Sequence, residues 1–191
     1  MNISFGKKIP ITQCKIYDNE RKAFINATCY AFDCNDKSDI DEISKMDDSW
    51  RYVNQTLHNM KRGYITRDND MMTDIIVYTL ETDNGEKLGL CCAEDKGRRL
   101  DINYLETKQD GKHKYVGQTL LASVGSQILN NNQYIFLIRN ALTSAFNFYK
   151  NTCGFTEDKE NADLSMNRTG IRQFIKQTEA RTQAPIIELK A

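Results

Sequence analysis

Proline is nearly missing from these 191 residues, with two positions, and histidine is equally scarce. So little proline excludes collagen and proline-rich linkers, and 40% hydrophobic with 9% aromatic residues argue against disorder. Net charge is absent: 26 Lys and Arg stand against 26 Asp and Glu. Proteins that coat nucleic acid carry a basic excess, so nucleic acid is disfavoured as a partner, although a local basic site is compatible with this balance. No apolar stretch approaches the roughly 20 residues of a membrane-spanning helix. No signal-like apolar run of roughly 7–15 residues follows Lys7 and Lys8. These absences predict a cytoplasmic location and no membrane partner. CxxC spacing is missing too. Cys14, Cys29, Cys34, Cys91, Cys92 and Cys153 have only His58 and His113 for company, so no metal site and no disulfide framework are expected. Neither the nucleotide P-loop nor the dinucleotide Gly-x-Gly-x-x-Gly pattern occurs.

The length suits one domain, at roughly 150 residues per domain. Ile9, Ile11, Cys14 and Ile16 suggest an edge strand. Ala23, Phe24, Ala27 and Tyr30 suggest a helix over 19–32. Residues 33–49 are acidic, with Asp33, Asp36, Asp39, Asp41, Glu42, Asp47 and Asp48, and read as a solvated helix start capped by Ser38 or Asp39. A calcium loop needs a glycine at its turn, and none is there. Ile43, Met46, Trp50, Val53, Leu57 and Met60 step by three or four, which predicts one long amphipathic helix ended by Gly63.

The period then changes to that of a sheet. Residues 73–81 and 87–93 flank Asp83-Asn84-Gly85 as a hairpin, and 100–107 form a third antiparallel strand. A helix from Gly117, with Leu120, Leu121, Val124, Ile128 and Leu129 inward, ends at Asn130, Asn131 and Asn132. A strand at 134–138, a helix at 141–151 closed by Gly154, a strand at 163–168, a short helix around Ile171, Phe174 and Ile175, and an edge strand at 186–189 complete the chain. A helix between two strands implies a crossover and a partly parallel sheet. The whole reads as a single α/β domain over 1–191, with a helix–strand extension at 169–191 whose final strand suits pairing within one chain or across a homodimer.

The passage richest in chemistry is 100–155. Lys112, His113 and Lys114 precede Val116-Gly117-Gln118-Thr119 at a helix start, where unpaired N–H groups and helix polarity make an anion site. A glycine before a helix is by itself most often only a turn.

Lys114-Tyr-Val-Gly117-Gln-Thr119-Leu-Leu resembles the pyrophosphate-loop pattern [Arg/Gln]-x-x-Gly-x-[Gly/Ala] of the GCN5-related N-acetyltransferase (GNAT) superfamily. The likeness continues through Ile135-Phe-Leu-Ile-Arg-Asn140 and Ala145-Phe-Asn-Phe-Tyr149-Lys-Asn-Thr-Cys-Gly154-Phe155. Lys114 departs from the usual Arg or Gln, and Thr119 from the second small residue. The resemblance implies a GNAT-like acyltransferase fold with a central mixed, strongly twisted sheet flanked by helices. It also implies acetyl-CoA as cofactor and transfer of acetyl by direct attack of a primary amine, on a small molecule or a protein. Backbone groups of Tyr104 and Leu105 would bind the pantetheine arm, and Lys114 with the N–H groups of Val116, Gly117, Gln118 and Thr119 the diphosphate. Asn140 would contact the cofactor, Tyr149 would protonate the leaving thiolate, and Asp101 would accept the amine proton. Glu106 and His113 are weaker alternatives as base. Cys91 and Cys92 lack an adjacent histidine and are not expected to act as nucleophiles. Two other readings stand beside this one: a catalytically degenerate binding or regulatory module, and an aminoacyl-tRNA-acetylating toxin.

Overall fold

In the computed structural model, which describes residues 8–46, 49–66, 74–130, 135–139, 141–158 and 160–189, the chain opens with a hairpin. Strand β1 (Ile9–Asp18) pairs antiparallel with β2 (Ala23–Asp33). Asp18 builds the turn: its carboxylate accepts the N–H groups of Glu20 and Arg21 at 2.8 and 3.0 Å, and Lys22 takes a φ of +49°. The helix expected over 19–32 is therefore a strand. Ile25, Ala27, Cys29 and Ala31 pack into one core while Tyr30 and Phe32 pack into another. The true period is two, and the helical spacing at 23, 24, 27 and 30 mixes residues from both faces.

Helix α1 (Lys37–Ile43) is capped by neither Ser38 nor Asp39 but by Asp36, which accepts the Ser38 N–H. Asp39 is buried and accepts the Asp33 N–H at 2.9 Å. The single long helix does not form either. α1 stops at Ile43, and α2 (Val53–Thr66) starts afresh and runs past Gly63. Ile43, Trp50, Val53 and Met60 nevertheless bury in one cluster, so the stripe is core although its backbone is broken. The cause lies at the restart. The N–H groups of Arg51 and Tyr52, which a continuous helix directs to carbonyls four residues back, donate instead to the carboxylate of Glu106. Asp47 and Asp48 lie outside the described residues.

Strands β3 (Asp74–Thr82), β4 (Lys87–Asp95) and β5 (Arg99–Thr107) follow as consecutive antiparallel neighbours, as expected. A short β6 (His113–Lys114) pairs with β1, and α3 (Val116–Asn130) crosses over to β7 (Ile135–Ile138), which runs parallel to β5. α4 (Thr143–Asn147) passes into a π-helical turn (Phe148–Cys153), closed by Gly154 at φ +83°, a conformation that suits glycine. Then come β8 (Thr156–Glu157), β9 (Leu164–Asn167), α5 (Arg168–Thr182) and β10 (Ile187–Glu188). The mixed sheet has the order β10-β1-β2-β3-β4-β5-β7-β9-β8. α1 and α2 pack on the smaller core; α3 and α5 cover the larger one. The last helix is longer than its sequence signal, and β10 pairs with β1 of the same chain.

Candidate active site

The β5–β7 pairing runs only from Arg99↔Ile135 to Ile102↔Ile138, after which β5 continues and β7 ends. Beyond Ile102 the edge of β5 that faced β7 is open. At that point the β4–β5 register shifts, pairing Ala93 with Ile102 but Cys92 with Tyr104, so Asn103 is the extra residue of a bulge. Leu100 and Ile102 pack in the larger core; after the bulge Leu105 does so, and Tyr104 turns to the smaller one.

A cleft with two lobes fills the splay. One lobe, about 450 Å³, runs from Leu105 and Thr107 to Gly117 and Phe148. The other, about 210 Å³, lies between Asn103 and Tyr104 on β5 and Ile138 and Arg139 at the end of β7. Tyr52, Leu105, Leu142, Ala145 and Tyr149 line both. The larger lobe falls in the range of roughly 300–1,000 Å³ typical of cofactor sites.

The start of α3 opens on the larger lobe through Gly117. A Cβ there would lie 3.3 Å from Phe148 Cζ and from Thr107 Cγ2, so a side chain would crowd the approach. Tyr115, at φ +70°, turns the chain into α3, and its carbonyl accepts the Thr119 N–H at 2.9 Å. Of the four N–H groups expected to hold a diphosphate, Thr119's is thus committed to the helix. Those of Val116, Gly117 and Gln118 remain as first-turn donors. The Thr119 side chain is fully buried. The Gln118 side chain accepts from Arg181 of α5 at 3.1 Å, which fixes the turn from behind. Lys114 is exposed and its ammonium sits 5.8 Å from the centroid of the Tyr17 ring. Free donors, a glycine approach and Arg51 on the lining of the same lobe fit a phosphorylated cofactor with an extended arm.

Tyr149 is buried and borne by the π-helical turn, a distortion that recurs at functional sites. Its ring packs edge-on against Phe148 and Phe155. Burial, with contributions from Cys91, Cys153 and Tyr52, raises its phenol above the ordinary value, so it stays a protonated donor facing the cleft.

Asp101 is not brought to the cleft. It alternates with Leu100 and Ile102 within the paired part of β5, is buried, and lies 2.9 Å from Arg99 Nε and 3.7 Å from the Arg139 guanidinium. Glu106 reaches the larger lobe, yet both its oxygens accept backbone N–H groups, at 2.7 Å from Arg51 and 2.9 Å from Tyr52. The His113 ring is turned into a contact with Asp110 at 3.2 Å. Burial pushes the thiols of Cys14, Cys92 and Cys153 up to about 12, and that of Cys91 well above its ordinary value, leaving inert thiols. Among the described residues no group of His, Cys, Asp and Glu is arranged to hold a metal ion. No described helix is long and apolar enough to cross a membrane. Asn140 lies outside the described residues.

Sequence reasoning missed Arg51 and Tyr52. The Tyr52 ring stacks on Tyr104 at 5.2 Å and 17°, and Arg51 lies over it at 5.2 Å. The only local signal was the run Trp50-Arg51-Tyr52 just ahead of a helix.

Comparison with protein families and with curated proteins finds no match. Among solved structures, spermidine N-acetyltransferase from Vibrio cholerae, in complex with CoA and spermine, is similar with a TM-score of 0.53 at 12% identity, over 76% of this chain and 98% of that one. AtaTR bound with acetyl-CoA is similar with a TM-score of 0.52 at 14% identity, over 76% and 96%. A tyrosine-to-phenylalanine mutant of the AtaT toxin is similar with a TM-score of 0.50 at 15% identity, over 76% and 92%. At such identities the likeness is one of fold.

Proposed function

Because this chain has the GCN5-related N-acetyltransferase fold, we propose that it transfers acetyl from acetyl-CoA to a primary amine by direct attack. One observation carries the reading: the free N–H groups at the start of α3 and the Tyr149 phenol meet in a single splayed cleft, at the two ends of the open β5 edge. Acetyl-CoA supplies an acyl carbon activated as a thioester. Backbone groups of Tyr104 and Leu105 on that edge take the pantetheine arm. Val116, Gly117 and Gln118 give their N–H groups to the diphosphate. In the transfer a C–N bond forms, a C–S bond breaks, the nitrogen loses a proton and the sulfur gains one. Tyr149 holds its proton where the thiolate develops, which lowers the cost of that charge. Asp101 is paired with arginines and Glu106 holds two backbone N–H groups, so the amine enters neutral and water takes the proton that nitrogen releases after attack.

The cleft walls also favour one kind of acceptor. Arg51 and Arg139 line the lobes, while Asp101 and Glu106 are engaged by arginines and backbone donors. Such walls favour an amine on an anionic carrier over a polycation such as spermine. Together with the likeness to the AtaT toxin, this supports the aminoacyl-tRNA reading over that of a polyamine acetyltransferase.

The test is thioester consumption by the purified protein against a polyamine, a lysine peptide and aminoacyl-tRNA, each with and without acceptor. Coenzyme A binding is followed in parallel by calorimetry. Turnover with aminoacyl-tRNA alone is expected. A protein that binds coenzyme A and transfers to none of the three is the binding or regulatory module instead.

A further inference from the structure

Among the described residues one carboxylate reaches the larger lobe, and each of its oxygens accepts a backbone N–H. Glu106 accepts the N–H of Arg51 through Oε1 at 2.7 Å and the N–H of Tyr52 through Oε2 at 2.9 Å. Tyr104, two residues earlier on the same strand and the same face, stacks on the Tyr52 ring. β5 therefore grips a turn that belongs to a distant part of the chain by a carboxylate and a ring. That turn delivers Tyr52 into both lobes, which Tyr149 also lines. Trp50 and Val53, on either side, are buried in the smaller core and anchor the turn's ends. The Tyr52 carbonyl accepts the Thr56 N–H of α2 at 2.9 Å, which leaves the N–H groups of Arg51 and Tyr52 for the carboxylate.

We propose that Glu106 is a positioning residue, not a base: its carboxylate ties the turn carrying Tyr52 to β5 and so fixes the acceptor wall of the cleft. Geometry makes the role specific to a carboxylate. Two N–H donors, from consecutive residues, each need an acceptor, and only an ionised carboxyl presents an acceptor on both arms. Glutamine keeps the shape but turns an NH₂ toward one of the donors. The same arrangement explains why the predicted long helix breaks, because the grip takes the donors that would have continued it. Only the kinetic consequence rests on the acyl-transfer reading; the grip itself does not.

The test combines residue-resolved amide exchange with kinetics on the full chain. In the wild type the amides of Arg51 and Tyr52 are expected to be protected. Glu106→Gln should release at least one by roughly tenfold or more, since charge-assisted bonds are the strong ones, with β5 protection kept. Glu106→Ala should release both. With the acceptor identified above, Glu106→Gln should raise the acceptor KM by roughly tenfold and leave kcat and coenzyme A affinity within about threefold. The pH profile should not move. Unchanged exchange at residues 51 and 52 in a folded Glu106→Gln protein overturns the proposal. So does a large loss of kcat that disappears at high pH, which is the signature of a base. If no acceptor turns over, the acyl-transfer reading fails, and the exchange result alone decides the grip.

Discussion

The two walls of the cleft are held by different means. The wall made by the end of β5, the start of α3 and the π-helical turn is backbone held in regular structure, packed on the larger core and braced by Arg181. The wall made by Arg51 and Tyr52 is an irregular turn, anchored at its ends by Trp50 and Val53 and joined to β5 by two hydrogen bonds and one aromatic stack. Rigid backbone suits a ligand part whose shape never changes, such as a diphosphate and its arm. A turn joined to the sheet by one side chain's carboxylate suits a wall that adapts to different ligands, because one substitution at that carboxylate changes the tie without touching the buried anchors.

The sharpest way to break this division is at the point where both walls meet. Tyr149→Phe should cost about 10²- to 10⁴-fold in turnover, the range for loss of a positioned proton donor. It removes one oxygen and leaves the packing on Phe148 and Phe155, so stability and coenzyme A affinity should hold. The raised phenol adds a pH test. An acid whose pKa is raised keeps its proton to higher pH, so the wild-type rate should climb as the amine deprotonates, with no fall from Tyr149 below about pH 10. A full rate in the Phe variant removes the tyrosine from the chemistry and leaves the fold untouched.

Next in size is the rigid wall itself. Gly117→Asp places a Cβ 3.3 Å from Phe148 and Thr107 and a negative charge among the free donors. Coenzyme A affinity should drop by roughly 10- to 100-fold, a charge and a clash acting together at a helix N-terminus. Calorimetry on the folded variant reads it directly. Unchanged affinity would mean that the diphosphate lies elsewhere.

The contrast between the walls also explains what the sequence disclosed. The run from 100 to 155 was readable because the helix start, the glycine and the Gly-Phe ending are local signals. Strand order in the middle of the sheet followed from period-two runs and one turn. Tyr52 and Glu106 were not readable as a pair, since 54 positions separate them and neither belongs to a local pattern. β2 was misread because both its faces are buried, with alanine and cysteine on one and aromatics on the other, which blurs a period of two into one near 3.6. The bulge at Asn103 leaves no mark in composition, yet it decides which residues of β5 face the cleft.

That bulge makes Asp101 the next test. Placed in the paired part of the strand and flanked by Arg99 and Arg139, it should act in structure. Both arginines are substantially exposed, so screening keeps the loss from Asp101→Asn to about 1 kcal/mol, read as a lower urea midpoint. Turnover should stay within about threefold. A deficit of roughly 100-fold or more that narrows as pH rises would return Asp101 to the role of base.

The smallest effect is expected at Lys114, where the resemblance alone assigned a cofactor contact. Its backbone is fixed by β6, opposite Tyr17 of β1, and its ammonium sits over the Tyr17 ring, not on the wall of either lobe. Being exposed, it acts on a bound phosphate through water and salt, which screens charges over roughly 8 Å at physiological ionic strength. Lys114→Ala should therefore weaken coenzyme A binding by less than about threefold, with the difference shrinking further as salt is raised. Calorimetry at low and high salt measures both numbers. A loss of tenfold or more that survives high salt would show that the side chain leaves Tyr17 and closes on the phosphate. The diphosphate would then be held by a movable side chain as well as by the backbone, and the difference between the two walls would be smaller than the free geometry implies.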